Sequence, residues 1–403
     1  MLSKTGKRAL IFVLMFALVF LAACVDDESG AHIYRGEAGD NITWTLDANT
    51  GVLTFIGTGA MWDWEALEHY PPWYNNYPPW YDYMESITSV VISDGITSIG
   101  DDAFVGATSL TSVDMPSVTY IGMGAFAGAT SLPTADMPGV TYIGDGAFWG
   151  ATSLTSVDMP RVTRIGWDAF WGASSLASVY IPDSVTYIGM GAFVGATSLT
   201  SIDIPASVTH IGRRAFVEAT SLAEIRVAPG NIYYRDIDGV LFDDTATVLH
   251  TYPAGRGAVH YVIPDSVTTI GGNAFQGATS LASVYMPSVT TIRFGAFSRT
   301  ASLTSVDMPN ITYIENQAFV MATSLVSVAI PDSVTYIGDS AFWGASSLTS
   351  VIIHSRDTAF GWGVFEDTHP DFAIHAFTGS TAEEYAIANG HNFVPLDDDK
   401  AEV

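Results

Sequence analysis

Carboxylates recur at one position of a repeated segment and are the first candidates for chemistry in this sequence. In SVDMP, Val113 and Met115 share one face of a short strand, so Asp114 points to the other face. The equivalent positions, with the adjacent serine, are Ser112, Asp114, Asp136, Asp158, Tyr180, Asp203, Arg226, Tyr285 and Asp307. Carboxylates about 4.8 Å apart on neighbouring strands repel one another, which favours a cation such as calcium or a ligand surface. A solvated polar face is the alternative.

Aromatic residues form a second repeated series. The tyrosines of the VTYIG segments and the tryptophans after the Ala-Phe pairs are Tyr120, Tyr142, Trp149, Trp171, Tyr187, Tyr313, Tyr336 and Trp343. Exposed aromatic rings can stack on sugars or anchor protein partners. The segment from Trp73 to Trp80 adds further aromatic residues to a hypothesis of glycan binding. The same rings could instead cover the edges of an apolar core.

The segment DIDGVLFDD at 236–244 resembles the D-x-D-G-(T/V)-L nucleophile loop of haloacid-dehalogenase phosphatases. The resemblance implies Asp236 as the nucleophile and Asp238 as the acid. That family needs a buried parallel strand before the first aspartate and a doubly wound domain behind it, whereas NIYYR precedes this segment and more repeats follow it. A hairpin turn is therefore the favoured interpretation. Since the sequence also lacks H-E-x-x-H and G-x-S-x-G, we predict no catalytic residue, no metal site, no cofactor beyond calcium, and no enzyme.

Both the carboxylate series and the aromatic series belong to a repeat of 22 or 23 residues. Its Ala-Phe pairs end at Phe104, Phe126, Phe148, Phe170, Phe193, Phe216, Phe275, Phe297, Phe319 and Phe342, with one longer step of 59 residues. Such a period indicates a solenoid, whose stacked coils bury together the apolar residues that one coil could not bury alone. Pro116 should end the first strand of its coil, and Gly122 should permit the next turn. The Ala-Phe segment is long enough for one helical or 3-10 turn.

The aligned copies, L-x-x-V-x-(M/I)-P-x-x-V-T-x-I-G-x-x-A-F, resemble the BspA-type leucine-rich repeats of bacterial surface proteins over about residues 86–355. The resemblance implies a leucine-rich-repeat solenoid that is mainly β, with short helical or 3-10 turns. It also implies a curved, right-handed stack of coils, exposed on cells and often adhesive, with a β-rich N-terminal cap and a C-terminal capping helix. Many members have cysteine or asparagine after the Ala-Phe turn, where this chain has alanine, as at Ala107.

Three regions do not follow the period. Residues 32–85 alternate and turn at residues 49–51, which predicts a β-rich cap with a hairpin. The insertion at about 228–258 predicts a second hairpin, projecting from the solenoid. In residues 356–403, Ser380 is an expected N-cap, Glu383 follows three residues later, and Gly390 should end the capping helix.

The N-terminus predicts export. Residues 1–23 combine a basic start with an apolar run too short for a membrane span, as in a signal peptide. The following LAAC resembles a bacterial lipobox, which implies a lipid on the sulfur of Cys24 and a short tether at 24–31. The alternative is an ordinary signal with a chance cysteine. Because Cys24 is the only cysteine, an internal disulfide is excluded.

The charge of the chain limits its partners. A formal net charge of −27 repels phosphate backbones, so nucleic acid is excluded, and the acidity itself indicates solubility, cation binding or a salty habitat. We therefore predict a lipid-anchored protein at the cell surface that binds a protein or another cell-surface macromolecule through its solenoid face. A glycan-binding surface module and a structural envelope protein are the alternatives.

Overall fold

The computed structural model describes residues 25–26, 32–64 and 77–396. Within these residues the chain is a β-solenoid of short strands, with one α-helix near its C-terminal end. The described residues form two compact units, one up to residue 162 and one from residue 163. The expected leucine-rich-repeat solenoid, mainly β and with caps at its ends, is confirmed.

The first unit begins with an antiparallel meander that leads into the coils. Its elements are β1 (Val25–Asp26), β2 (His32–Gly39), β3 (Ile42–Asp47), β4 (Val52–Gly57), β5 (Gly59–Ala60), a 3-10 helix (Tyr81–Ser86), β6 (Ser89–Ile92), β7 (Ile96–Ile99), β8 (Ser112–Asp114), β9 (Tyr120–Ile121), β10 (Thr134–Asp136), β11 (Tyr142–Ile143) and β12 (Ser156–Asp158). Strands β1 to β4 pair antiparallel, and β4 then pairs in parallel with β6. The meander therefore caps the coils by continuing their sheet. The hairpin expected at residues 49–51 connects β3 and β4, with Gly51 at a φ of 72°.

Trp80 joins the cap to the first coil. Its ring centroid lies 5.6 Å from that of Trp44, 4.9 Å from that of Phe55 and 6.0 Å from that of Phe104. Its Nε1 donates a hydrogen bond of 2.8 Å to the Ala103 carbonyl. The hypothesis that the segment ending at Trp80 binds glycans does not hold for this residue, because its ring is fully buried.

Each coil of the first unit has a first and a second strand, and each of these strands pairs with its counterpart in a neighbouring coil. Strand β6 pairs with β8 and β10 pairs with β12, all in parallel, and the second strands β7, β9 and β11 share one sheet. Met115 follows the first strand of its coil and Ile121 lies in the second strand, and both are buried. The two segments of a coil therefore enclose a shared apolar interior, as a solenoid requires.

Gly122 begins the turn that was expected after it, since its carbonyl accepts a hydrogen bond of 3.4 Å from the Ala125 N–H, but glycine is needed there for close packing between coils. Its backbone is not left-handed, and a Cβ on it would lie 2.6 Å from the backbone nitrogen of Asp101 in the preceding coil. Gly189 is in the same situation, since its Cβ would lie 2.4 Å from the Gly166 carbonyl oxygen. At both positions a side chain would push neighbouring coils apart.

The phenylalanines of the Ala-Phe segments stack inside the first unit. Phe104, Phe126 and Phe148 are fully buried, and their successive ring centroids are 5.3 Å apart. The Ala107 N–H donates to the Phe104 carbonyl, as in a 3-10 turn, whereas the Phe104 N–H donates to the Ala125 carbonyl of the next coil. The segment therefore forms a single tight turn that does not continue as a helix.

The second unit contains two runs of coils separated by the insertion. Its elements are β13 (Arg164–Ile165), β14 (Tyr187–Ile188), β15 (Ser201–Ile204), β16 (His210–Ile211), β17 (Glu224–Val227), β18 (Tyr234–Ile237), β19 (Val240–Asp243), β20 (Val248–Thr251), β21 (His260–Val262), β22 (Thr269–Ile270), β23 (Ser283–Tyr285), β24 (Thr291–Ile292), β25 (Ser305–Asp307), β26 (Tyr313–Ile314), β27 (Ser327–Ile330), β28 (Tyr336–Ile337), β29 (Ser350–Ile353), β30 (Ala359–Phe360), β31 (Ala373–Ala376), α1 (Thr381–Asn389) and β32 (Asn392–Pro395). In the first run, β13, β14 and β16 form one parallel sheet, and β15 pairs with β17 in another. In the second run, one parallel sheet extends from β20 through β22, β24, β26 and β28 to β30.

The insertion forms a three-stranded antiparallel meander of β18, β19 and β20. The prediction that it projects from the solenoid is wrong, because Val240, Phe242 and Leu249 are fully buried in one core with the coils that follow. The predicted hairpin turn at Asp238 is confirmed. Asp238 and Gly239 have φ values of 51° and 76°, as the favoured two-residue hairpin turn requires.

The insertion also closes the edge of the first run of coils. Strand β16 is the outermost strand of its sheet. The Ile211 N–H donates to the Tyr234 hydroxyl at 2.9 Å, and the Ile211 carbonyl lies 3.1 Å from His250 Nε2. His250 Nδ1 lies 2.8 Å from Thr251 Oγ1, which fixes the ring from its other side. Side chains of the insertion thus satisfy backbone groups that would otherwise need another strand.

Tyr252 of the insertion starts a second stack of rings. Its centroid lies 4.8 Å from that of Phe275. The rings that continue the stack, with successive centroids 4.6 to 5.5 Å apart, are Phe275, Phe297, Phe319, Phe342 and Phe365. The stack therefore continues beyond residue 355, although residue 365 follows valine instead of alanine.

Threonines of the VT segments tie each coil to the one before it. Thr312 Oγ1 donates to the Thr290 carbonyl at 3.0 Å, and Thr335 Oγ1 donates to the Thr312 carbonyl at 3.1 Å. In the first unit, Thr141 Oγ1 donates to the Thr119 carbonyl at 3.1 Å. A hydroxyl at this position adds a coil-to-coil hydrogen bond, which accounts for the threonine in the repeat.

Helix α1 has the expected ends. The Ser380 hydroxyl accepts a hydrogen bond from the Glu383 N–H, a Glu383 carboxylate oxygen accepts one from the Gly379 N–H, and Gly390 follows in the left-handed conformation. Ala382 and Ala386 are buried against the last coils. Strand β32 then returns to pair in parallel with β31, so a strand as well as the helix completes this end.

Truncating Phe297 to alanine should destabilise the second unit by about 3–5 kcal/mol, because its buried ring lies between Phe275 and Phe319 and its loss leaves a cavity. Urea denaturation followed by circular dichroism measures this change. Phe294→Ala is the matched control, since that ring is 40% exposed and its loss should reduce stability by no more than about 1 kcal/mol. Equal losses in the two variants would contradict the stack as a main source of stability.

The contact between His250 and Ile211 should make stability depend on pH. Burial lowers the pKa of His250 from 6.5 to about 4. Because the unfolded chain takes up this proton more readily, the free energy of unfolding should fall by up to about 1.4 kcal/mol per pH unit as the pH drops through this window. His250→Gln keeps a hydrogen-bond donor and does not titrate, so its urea midpoint should fall less between pH 6.5 and 4.5. Identical pH profiles for the two proteins would rule out this role of His250.

Candidate functional site

The polar series expected on the first strand of each coil is exposed in the first unit. Asp136 in β10 is directly opposite Asp158 in β12, and Asp114 in β8 ends the preceding strand. All three side chains are exposed, and Ser112 Oγ lies 2.9 Å from Ser89 Oγ in β6. The neighbouring coils therefore present carboxylates and hydroxyls in rows, as the alternation of strand side chains predicts.

In the second unit the side chains at the corresponding positions have mixed chemistry in place of a row of carboxylates. Tyr180 is 71% exposed, in a coil where this segment is extended without being assigned to a strand. Asp203 in β15 is in register with Arg226 in β17, and the Arg226 guanidinium lies 3.5 Å from the Asp203 carboxylate. Arg226 also contacts the Glu224 carboxylate. At these coils an arginine neutralises the acidic series.

After the insertion the face continues with alternating polar and apolar groups. Val262, Tyr285 and Asp307 are in register in β21, β23 and β25. Val262 is 64% exposed and Tyr285 is 42% exposed. Val262 was missed by the sequence analysis because its coil follows the long step of 59 residues, which hides its place in the series.

The carboxylates of this face do not assemble a coordination sphere. In residues 32–64 and 77–396, no group of three or more His, Cys, Asp or Glu side chains is arranged to hold a metal ion. Asp136 and Asp158 supply two neighbouring carboxylates, and a calcium site takes six to eight oxygen ligands. Calcium binding at this face remains a prediction.

The tyrosines of the second strand stack in pairs along each unit. The Tyr120 and Tyr142 rings lie 4.9 Å apart in the first unit, and the Tyr313 and Tyr336 rings lie 5.0 Å apart in the second. Burial, with a smaller contribution from the Asp101 charge, raises the pKa of Tyr120, so its hydroxyl stays protonated near neutral pH. These rings therefore pack on one another and leave their edges to solvent.

In the first coils of the second unit, flat side chains pack together at and beside the tyrosine position of the second strand. The Arg164 guanidinium lies 3.9 Å from the centroid of the Tyr187 ring, which stacks on His210 at 4.6 Å. Trp167 Nε1 donates a hydrogen bond of 2.8 Å to the Tyr187 hydroxyl. Burial and the nearby Arg164 charge lower the pKa of His210. Arg164, Trp167 and His210 were not among the predicted contacts. Arg164 and His210 replace the tyrosine of the repeat, and Trp167 occupies a variable position that is Met123 or Asp145 in other coils.

The tryptophans that follow the Ala-Phe turns are partly exposed. Trp149 is 45% exposed and Trp171 is 40% exposed, whereas Trp343 is half-buried. The structure therefore leaves the predicted aromatic contacts accessible to different extents. Their role as a binding surface or as a cover for the core remains a prediction.

The carboxylates of DIDGVLFDD do not form a phosphatase site. Asp236 lies in β18, which pairs antiparallel with β19, and its Oδ1 accepts a hydrogen bond of 2.8 Å from the Val227 N–H. Asp238 occupies the left-handed turn, and its carbonyl contacts the Arg256 guanidinium. The Asp236 carboxylate supports the fold and Asp238 forms the turn, so the favoured interpretation as a hairpin is confirmed.

The N-terminal predictions cannot be placed on this structure. The signal peptide at 1–23, Cys24, most of the tether and Trp73 lie outside the described residues. In the part of the chain that the structure describes, no helix has both the length and the apolar character to cross a membrane.

Comparison with known proteins identifies the repeat. The family model of the BspA type leucine rich repeat region matches residues 80–196, 141–247 and 258–370. No curated protein matches this chain.

Solved structures share the fold. A leucine rich cell surface protein from Faecalibacterium prausnitzii is 28% identical, with a TM-score of 0.60 over 90% of this chain and 98% of that chain. A leucine-rich repeat protein from Eubacterium ventriosum is 24% identical, with a TM-score of 0.55 over 86% of this chain and 78% of that one. The pneumococcal vaccine antigen PcpA is 16% identical, with a TM-score of 0.58 over 94% of this chain and 100% of that one. The last two show the fold alone.

The family model covers more than half of the chain, and its matched ranges contain both runs of stacked Ala-Phe coils. The chain therefore belongs to the BspA-type leucine-rich repeat family.

Proposed function

We propose that this chain is an exported, lipid-anchored protein of the bacterial cell surface that binds a macromolecular partner through the first-strand face of its coils. We define this face by the outward-pointing residues at the first-strand position in the coils of the second unit, from Tyr180 to Asp307. The observation that carries the proposal is the in-register row of exposed side chains on a backbone fixed by coil-to-coil hydrogen bonds.

The chemistry of the first-strand face suits a protein partner. Tyr180, Val262 and Tyr285 are large exposed groups, and aromatic residues are enriched at protein interfaces. Asp203 and Arg226 belong to coils between those of Tyr180 and Val262, and they add charges of both signs to the face. A rigid scaffold keeps such groups in place before binding, which lowers the entropy lost on association.

The surface location rests on two independent lines of support. One structurally similar protein is named a leucine rich cell surface protein. In this chain, the signal-like residues 1–23 end in a lipobox-like LAAC, and its only cysteine is Cys24. Two or more acyl chains on that cysteine would hold the protein stably at a membrane, where one chain would be marginal.

Binding should depend on the tyrosines of the first-strand face. A labelled protein comprising residues 24–403 with Cys24→Ser should bind to cells in a panel of animal epithelial and bacterial cells. Replacing both Tyr180 and Tyr285 by alanine should weaken that binding at least tenfold, which flow cytometry measures.

Tyr233→Ala is the matched control, because Tyr233 is 46% exposed but lies in the insertion, outside the face. Pretreating the cells with protease should abolish binding if the partner is a protein. Binding that is unchanged in the double variant, or absent from every cell type, would refute the proposal.

Lipid attachment should depend on Cys24. When the chain is produced in bacteria fed a clickable fatty acid, the wild type should carry the label and Cys24→Ser should carry none. The variant should also move from the membrane fraction to the medium or periplasm. Equal labelling of the two proteins would exclude Cys24 as the site of the anchor.

A further inference from the structure

The Ala-Phe turns of the second unit line a groove with a volume of about 690 Å³. Its lining comes from turns on both sides of the insertion, from residue 214 to residue 362. Sites for small molecules and short oligomers usually have volumes of about 300–1,000 Å³. The groove belongs to a different segment of the coil from the first-strand face, and Trp343 is the one predicted aromatic contact that lines it.

The coils that line the groove depart from the repeat at two positions. Two residues before and two residues after the Ala-Phe phenylalanine, the backbone is left-handed, and coils such as that of Phe126 have glycine at both positions, Gly124 and Gly128. Around the groove, non-glycine residues hold these left-handed conformations instead, namely Arg214, Glu218, Arg299, Gln317, Met321 and Ser340. Residues held in this conformation carry backbone strain, and such strain collects at ligand sites.

The floor of the groove contains two nearly buried polar side chains. Gln276 is 9% exposed and Ser298 is 8% exposed, and both line the cavity. The Gln276 carbonyl oxygen accepts a hydrogen bond of 2.8 Å from Asn273 Nδ2. Among the described residues, the Gln276 amide NH₂ and the Ser298 hydroxyl have no hydrogen-bond partner. Neither of these two groups is fully buried, so both open into the groove and can hydrogen-bond to a polar ligand there.

The walls of the groove add positive charge and aromatic surface. Arg299 pairs with Glu218 at 3.1 Å, whereas Arg214 forms no ion pair with any described residue. Trp362 is 72% exposed, and Trp343 lines the groove beside it in the preceding coil.

These groups define one class of ligand. Amide and hydroxyl groups on the floor can bond to sugar hydroxyls, the tryptophan faces can cover the apolar faces of sugar rings, and a guanidinium can hold a carboxylate with two hydrogen bonds. We infer that the groove binds an acidic oligosaccharide, with Arg214 holding its carboxylate. This site is independent of the protein-binding surface proposed for the first-strand face.

A glycan array that carries sialylated and uronic-acid glycans beside their neutral counterparts tests the inference. Residues 24–403 with Cys24→Ser should retain acidic glycans in preference to the matched neutral ones. Calorimetry with the best-retained glycan should show at least tenfold weaker binding for Arg214→Gln and for Trp362→Ala. Arg161→Gln and Trp62→Ala change the same residue types outside the groove and should leave the affinity unchanged.

A second variant separates ligand binding from stability. Because glycine suits the left-handed backbone at position 214, Arg214→Gly should keep or raise the melting temperature while losing affinity for the acidic glycan. The inference is overturned if no acidic glycan is preferred, if a peptide or neutral glycan is the ligand of the groove, or if Arg214→Gln binds normally. Cell binding that depends on Tyr180 and Tyr285 would persist in each of these cases, so failure here leaves the first-strand face unaffected.

Discussion

The distance of about 5 Å between successive coils is the constraint on which the rest of the structure depends. Whatever side chain a coil places at one position must pack against its counterpart one coil away. A flat ring meets this requirement, and Phe297 and Phe319 stack at 5.0 Å with nearly parallel planes. A hydroxyl next to the backbone also meets it, as Thr312 does by bonding to the preceding coil. Where backbones approach most closely, as at Gly122, a Cβ would collide, so glycine is required. The repeat is therefore the set of side chains that pack well against copies of themselves.

The same constraint explains why the long step in the repeat becomes an internal cap. A stack of coils cannot absorb extra residues without leaving a sheet edge and an exposed ring. The insertion meets both needs with side chains, since Tyr234 and His250 bond to the edge backbone of Ile211, while Tyr252 covers Phe275 and starts the next stack. In this arrangement the buried His250 imidazole must stay neutral, so the stability of the junction depends on pH. The N-terminal cap solves the matching problem with Trp80, whose ring lies over Phe104.

The repeat predicted the solenoid and its stacked phenylalanines, and the capping residues predicted the helix after Ser380; the structure confirms all three. The repeat could not predict contacts between positions that are not equivalent. Nothing in the local sequence indicates that Trp80 packs on the Ala-Phe stack or that His250 meets a carbonyl 39 residues earlier. The first-strand row was predictable as a row, because its members share one repeat position, but its chemistry was not. Whether Asp203 repels its neighbours or pairs with Arg226 depends on which coils are adjacent.

Function in such a molecule should be sought where the chain departs from its own repeat. A coil that serves only to build the solenoid should keep glycine at its left-handed positions, because most other residues there lower the folding stability by about 1 kcal/mol or more. Aspartate and asparagine are tolerated in this conformation, so Asp102 and Asn273 need no special explanation. Arginine, glutamine and methionine are not favoured in the left-handed conformation, yet Arg214, Gln317 and Met321 hold it around one polar groove. The strained residues belong to separate coils but line the same groove. This is the pattern expected of a binding site on a scaffold whose fold does not require those side chains.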